Sequence, residues 1–334
     1  MPHFPKNTSL ALTRRAILVG SAAVLASSRA MAAPLPVFKL GTLPLGTASW
    51  EAEAISRNGL DAAAGIKLEV VKLASNEAAR IAFVSGSVDS IVSDLIFAAR
   101  LRAEGKKVRF LPFSSSEGGV MVAAASPVTT IAELAGKSIG VAGGPLDKSW
   151  ILLRAVALQQ AKLDLQKDAN PVFGAPPLLS SKLERGEIDA ALLFWNFCAR
   201  LEAKGFRQLT SAQAITAALG IPGNVALLGY LVHEDADPAA LAGFAKASRA
   251  AKNLLASHPD AWTDIRPLME APDQSTFESL KRAFISGIPN RPRAAEIADA
   301  TSLFALLAKL GGESLTGAAK SLPEGLYVDQ ALYG

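Results

Sequence analysis

The most chemically loaded stretch of this sequence is Gly143-Gly144-Pro145-Leu146-Asp147-Lys148-Ser149-Trp150. Paired glycines let a backbone come close to a guest, and proline suits the first position of a helix. A helix start presents unsatisfied N–H groups and a positive dipole. Gly143, Gly144, Asp147 and Lys148 are therefore candidate ligand contacts, although Asp147 also fits as a plain complement to the dipole. The Gly-x-x-x-x-Gly-Lys-Ser/Thr spacing of a nucleotide loop is missing, so phosphate transfer gets no support.

Five further segments carry similar groups. Thr47, Ser49 and Trp50 offer two hydroxyls at a helix start and a flat indole wall; a cap with a core tryptophan is the alternative. Asn76 heads a helix and is read as its N-cap and a contact. Ser93 and Asp94 follow a short apolar run, and Asp94 would cap the next helix in any case. Ser115 and Glu117 lie in Ser114-Ser115-Ser116-Glu117-Gly118-Gly119, which suits close approach to a ligand and equally a solvated turn. Trp195 and Asn196 follow the apolar run 190–194, with Phe194 and Phe197 as core candidates.

Carboxylates at Asp94, Glu117 and Asp147, with Lys148 the only base beside them, and indoles at Trp50, Trp150 and Trp195 favour a cationic or aromatic nitrogen-containing solute. No arginine or lysine clamp for a sulfonate or nitrate is evident. Covalent chemistry finds little footing. The single cysteine, Cys198, reads as a small hydrophobe within a helix, and His233 and His258 lack partners. One cysteine and three dispersed histidines exclude an intramolecular disulfide framework and make a metal centre improbable, so no cofactor is expected.

The charge is informative by its location. The chain has 334 residues, 34 basic and 30 acidic, and a net charge of +4. Residues 1–32 hold Lys6, Arg14, Arg15 and Arg29 and no acid. Without these four, basic and acidic groups balance, which removes the electrostatic motive for binding nucleic acid. The same 32 residues read as a secretory signal: a positive stretch with Thr13-Arg14-Arg15, an apolar run 16–25, and Ala30-Met31-Ala32 for a peptidase. The run is shorter than the roughly 20 residues that a membrane span needs. Cleavage is expected after Ala32, the arginine pair resembles a twin-arginine export signal, and no lipobox cysteine is near, so a periplasmic location is expected.

The elements that must position these groups alternate. Strands are expected at 38–43, 68–73, 90–92, 108–113, 138–141, 190–194, 206–209 and 225–232. Helices are expected at 50–57, 76–85, 95–103, 146–160, 176–185, 201–204, 238–257, 274–286 and 294–310. Such alternation argues for mainly parallel sheets flanked by helices. Ligands of open α/β sheets bind beyond the carboxyl ends of strands, and clefts between domains are favoured. Crossings near 123–127 and 213–224 give residues 33–125 with 213–334 as one discontinuous lobe and 126–212 as the other.

Three landmarks carry a resemblance: Gly86-Ser87-Val88-Asp89 followed by Ser93-Asp94; Glu133-Leu134-Ala135-Gly136-Lys137-Ser138-Ile139-Gly140-Val141; and Gly186-Glu187-Ile188-Asp189-Ala190-Ala191. In this order and spacing the chain resembles periplasmic solute-binding proteins of ABC importers, in the nitrate/sulfonate/taurine-type branch that includes thiamine-pyrimidine binders. The resemblance implies an α/β two-lobe periplasmic binding protein fold of type II with the ligand cleft between the lobes. It also implies a monomer that hands a small organic solute to a membrane permease and its ATPase. The landmarks themselves are read as architecture, with Asp89 and Asp189 serving backbone donors. Two alternatives stand beside this reading: an enzyme on the same scaffold, of the pyrimidine-synthase or menaquinone-pathway kind, and a periplasmic sensor or accessory protein.

Overall fold

The strands of this chain are short apolar runs that reach full burial only when helices cover both sides of a sheet. The computed structural model describes residues 1–3, 34–44 and 46–329. Residues 4–33, which hold the arginine pair and the cleavage expected after Ala32, lie outside the described residues. Met1–Leu35 forms one unit and Pro36–Gly334 another; the elements below all belong to the second.

The first half runs β1 (Val37–Thr42), α1 (Ala48–Arg57), α2 (Leu60–Ala63), β2 (Lys67–Lys72), α3 (Asn76–Val84), β3 (Ser90–Asp94), α4 (Leu95–Ala103) and β4 (Val108–Ser114). Next come β5 (Gly118–Val122), β6 (Ser138–Ala142), α5 (Lys148–Ala161), β7 (Asn170–Gly174), α6 (Pro176–Glu184), β8 (Ala190–Phe194), α7 (Trp195–Ala203), β9 (Arg207–Ser211) and α8 (Ala212–Ala218). The chain closes with β10 (Leu228–His233), α9 (Pro238–Ser257), α10 (Gln274–Ser286) and α11 (Arg293–Thr316). The last helix is interrupted at Gly312, whose φ of 59° breaks the helical run.

Among the described residues the strands form two five-stranded sheets, in the orders β2-β1-β3-β10-β4 and β7-β6-β8-β5-β9. Each has four strands running one way and one reversed: β10 is antiparallel to β3 and β4, and β5 to β8 and β9. The two orders are the same pattern with the reversed strand exchanged. β5 follows directly on β4 yet pairs in the second sheet, and β10 returns to the first. The first crossing is thus the turn Ser115–Glu117, before the apolar run 118–122, whereas the sequence places it beyond that run at 123–127. A short strand buried on both faces carries no mark of which sheet it joins.

The likeness between the sheets extends to single atoms. The Asp89 carboxylate accepts from the Lys39 backbone N–H at 2.6 Å, at the start of β1. Asp189 accepts from Ser138 N–H at 2.8 Å, at the start of β6. Both aspartates do the backbone service expected of them, fastening a helix-to-strand turn to the neighbouring strand.

Four elements escape the sequence reading: the short helix α2, β5, β7 and α8. β7 reads Asn-Pro-Val-Phe-Gly at a sheet edge, where proline and glycine hide the strand signal. α8 is a seven-residue helix capped by Ser211, whose hydroxyl accepts from Ala214 N–H. The helix expected at 201–204 begins earlier, at Trp195, so Trp195 and Asn196 sit in a first helical turn. The core includes a cluster in which Phe38, Leu40 and Leu111 pack with α1 and α9 residues, and another around Met121, Leu179, Leu193 and Cys198 on the second sheet.

Candidate functional site

The strand ends decide where the polar groups fall. β3 ends at Asp94, whose Oδ1 accepts from Phe97 N–H at 2.8 Å and caps α4. β6 leads through Gly143 and Gly144, at φ 86° and 90°, into the cap of α5. There Asp147 Oδ1 accepts from the N–H groups of Ser149 and Trp150. A Cβ on Gly143 would sit 2.7 Å from Asp147 Oδ2, so the glycine makes room for that cap. Glu117 precedes Gly118, which pairs with Phe194 at the end of β8. Glu117, Asp147 and Lys148 therefore share the carboxyl edge of the second sheet.

These groups form one electrostatic cluster. Lys148 Nζ donates to Glu117 Oε2 at 2.9 Å, with side chains only 14% and 9% exposed. Burial opposes the Lys148 charge, but Glu117, Asp147 and Asp94 outweigh it and hold its pKa above the ordinary value. Burial raises Glu117, with Lys148 pulling the other way and Asp147 and Asp94 adding to the rise. Asp147 is likewise raised by burial, against Lys148 and the two backbone donors. Asp94 belongs to the first sheet and its charge reaches all three groups of the second. Asp94 is itself paired, through Oδ2, with Arg80 at 3.3 Å.

Arg80 is the residue the sequence reading missed. It lies one turn into α3, the helix that Asn76 opens, and its guanidinium stands 4.3 Å from the Phe97 ring centroid. Lys148 is thus not the only base nearby. The signal was available in the spacing: Arg80 follows Asn76 by four residues, one helical turn.

The tryptophans go elsewhere. Trp50 is 2% exposed, and its Nε1 donates to Leu268 carbonyl oxygen at 3.2 Å. Trp195 is buried against Trp50 and Phe284, and Trp150 is buried edge-on to Phe173. All three rings pack against other side chains. Ser115 is drawn into the crossing, its hydroxyl accepting from Asn224 Nδ2 at 2.9 Å and donating to Gly287 carbonyl oxygen at 3.3 Å. Ser93 is buried inside β3 opposite Gly229. Thr47 occupies the cap position of α1 without a side-chain hydrogen bond, and Ser49 Oγ donates to Gly46 carbonyl oxygen. The cap of α3 is Ser75, which accepts from Ala78 N–H, and Asn76 is exposed in the first turn; this corrects the expected cap. Asn196 is half-buried in the first turn of α7.

Residues 56–262, more than half of the chain, match the family described as NMT1/THI5 like. The chain belongs to the NMT1/THI5-like family. No curated protein matches it by sequence. Among solved structures, it is similar to the periplasmic aliphatic sulphonate binding protein SsuA of Escherichia coli, at 19% identity and TM-score 0.62, covering 82% of this chain and 85% of that one. An ABC transporter protein of Parabacteroides distasonis gives 16% identity and TM-score 0.66, over 88% and 99%. The desulfurization enzyme DSZB gives 16% and 0.56, over 89% and 97%. These likenesses establish the fold, that of two-lobe periplasmic binding proteins.

In this NMT1/THI5-like chain the candidate nucleophile and base are already engaged. The Cys198 thiol is pushed up to about 12, chiefly by burial, and its Sγ donates to the carbonyl oxygens of Leu193 and Gly119. The His233 ring stacks on Phe83 at 4.2 Å, with Nε2 3.0 Å from Phe83 carbonyl oxygen. His258 Nδ1 lies 2.8 Å from Ser257 Oγ on an exposed helix end.

Proposed function

We propose that this protein is the solute-binding receptor of an ABC importer, capturing a small organic solute between two lobes and delivering it to a membrane permease with its ATPase. The observation that carries this reading is the meeting of Asp94 and Arg80, at the edge of the first sheet, with Glu117, Asp147 and Lys148 at the edge of the second. Groups contributed by both sheets to one cluster are what a closing cleft requires, because the full contact set exists only when the halves come together.

In this reading the lobes are built on the two sheets and hinge at the two crossings, Ser115–Glu117 and the stretch 219–227. The leader exports the chain to the periplasm, and the receptor works as a monomer. Membership of the NMT1/THI5-like family and the fold shared with SsuA support it. The likeness to DSZB shows that the scaffold also hosts an enzyme, but Cys198 Sγ and His233 Nε2 each lie against backbone carbonyl oxygens, which favours binding.

Native mass spectrometry of the protein purified from periplasm tests this. The expected result is a protein carrying one small solute that unfolding releases. A protein that retains nothing, and whose melting temperature responds to no member of a small-solute library, is not a receptor of this kind.

A further inference from the structure

One oxygen of the site has no partner. Oε2 of Glu117 accepts from Lys148, but Oε1 is shut away from solvent and, among the described residues, receives no hydrogen bond. The side chain is only 9% exposed. Buried carboxylate oxygens are nearly always satisfied, and a bare one in a cluster at a strand-end edge calls for a donor from outside the chain.

The charges point the same way. Arg80 matches Asp94, whereas Glu117 and Asp147 share Lys148. With every group ionised, one negative charge is left over among the described residues of this cluster. An anion placed against Oε1 would add a second buried negative charge, while a cation would cancel the surplus.

A third feature concerns the body of the guest. Leu146, Phe173, Leu178 and Phe194 are large apolar side chains left exposed. Phe173 and Phe194 lie at the carboxyl ends of β7 and β8, Leu146 in the loop after β6, and Leu178 in the first turn of α6, just after β7; the three strands are neighbours in the second sheet. Phe194 pairs with Gly118, the residue next to Glu117. Exposed apolar groups gathered at one edge of a sheet, beside a buried polar cluster, fit a ligand with apolar surface of its own.

We propose that the site takes an organic cation bearing at least one N–H donor and an apolar body, with the N–H donating to Oε1 of Glu117. The apolar body lies against the strand-end side chains of the second sheet. The inference rests on the receptor reading of the same site and adds to it the class of solute. It excludes quaternary ammonium ions, which carry the charge without a donor, and sulfonates, which bring acceptors to an acceptor.

Calorimetric titration with a shape-matched trio tests it: benzylammonium, benzyltrimethylammonium and phenylmethanesulfonate, offered to full-length mature protein stripped of retained solute. Benzylammonium is expected to bind, and the other two at least about tenfold more weakly. Glu117→Gln, checked by circular dichroism, should weaken benzylammonium by about tenfold or more. Absence of benzylammonium binding, preference for the sulfonate or the quaternary ion, or unchanged affinity in a folded Glu117→Gln protein each overturns the inference. The trio decides by itself if the variant does not fold. A sulfonate found in the native mass spectrum would end the cation inference and leave the receptor reading standing.

Discussion

The indole of Trp195, at the head of α7 beside the second sheet, meets the indole of Trp50, on α1 beside the first, edge to face with centroids 5.9 Å apart. Arg200, further along α7, reaches the same neighbourhood and donates to the backbone carbonyls of Met269 at 2.6 Å and Glu270 at 2.8 Å. Aromatic packing and a bidentate guanidinium thus tie α7 to α1 and to the segment that follows α9. Trp195→Ala should cost about 3–5 kcal/mol of stability, the range for emptying a buried aromatic site. Urea denaturation measures that loss, and small-angle scattering should show a larger radius of gyration. Trp195→Phe should retain most of both.

A buried ion pair holds the other side of α1. Lys252 Nζ donates to Glu51 Oε2 at 2.5 Å and to Ser248 Oγ at 2.9 Å, while Tyr230 donates to Glu51 Oε1 at 2.9 Å. Lys252→Met leaves the Glu51 charge buried without its counterion and should cost about 3–5 kcal/mol. Glu51→Leu combined with Lys252→Met should recover most of the loss, because the damage comes from the orphaned charge. Denaturant midpoints of parent, single and double variants read the difference.

Stability of the ligand-free protein should carry a pH signature from Glu117. Its pKa is raised above 4.5 by burial, with Lys148 opposing and Asp147 and Asp94 assisting. The folded state therefore binds this proton more readily than the unfolded chain. The corresponding stability is present below the unfolded pKa and is lost as pH rises through the folded value. Glu117→Gln has no such proton, so its melting temperature relative to the parent should climb as pH rises above 4.5. A difference that stays flat or falls over this range contradicts the burial-driven shift.

Cys198 should resist alkylation in the native protein. A thiol held at about 12 instead of 9.0 presents about a thousandfold fewer thiolates near neutrality, and the thiolate is the reactive form. Iodoacetamide labelling followed by intact mass should be slow in buffer and rapid in denaturant.

Gly118 is the residue on which the first crossing turns. Its φ is 115°, and a Cβ there would fall 2.0 Å from Leu193 carbonyl oxygen. Gly118→Ala should displace β5 from β8, so a large drop in melting temperature or in soluble yield is expected. Gly86→Ala also sits at positive φ, 74°, but would meet nothing within 4 Å. It should cost about 1 kcal/mol, the backbone strain alone.

The polar cluster was legible to a useful depth. Asp94, Glu117, Asp147 and Lys148 stand out because polar groups directly after short apolar runs fall at strand ends, and strand ends of one sheet share an edge. Asp89 and Asp189 were readable for the same reason, since each stands between a glycine turn and a strand. The tryptophans were not. An indole has an apolar body and one donor, so its type fits a ligand wall and a packed core equally, and only its neighbours decide between them. For Trp50, Trp150 and Trp195 the neighbours bury the rings, with Trp150 Nε1 left without a partner among the described residues.

By itself the amino-acid order determined the alternation of strand and helix, the polar turns between them and the neutral balance of charge after residue 32. These follow from local preferences and from periodicity, which act within a few residues. Tertiary structure alone decided that β5 and β10 exchange sheets, that Arg80 pairs with Asp94, and that Glu117 is left with an oxygen unmatched. Those outcomes depend on how much room and how many partners distant segments leave one another, quantities that arise only when the chain is packed.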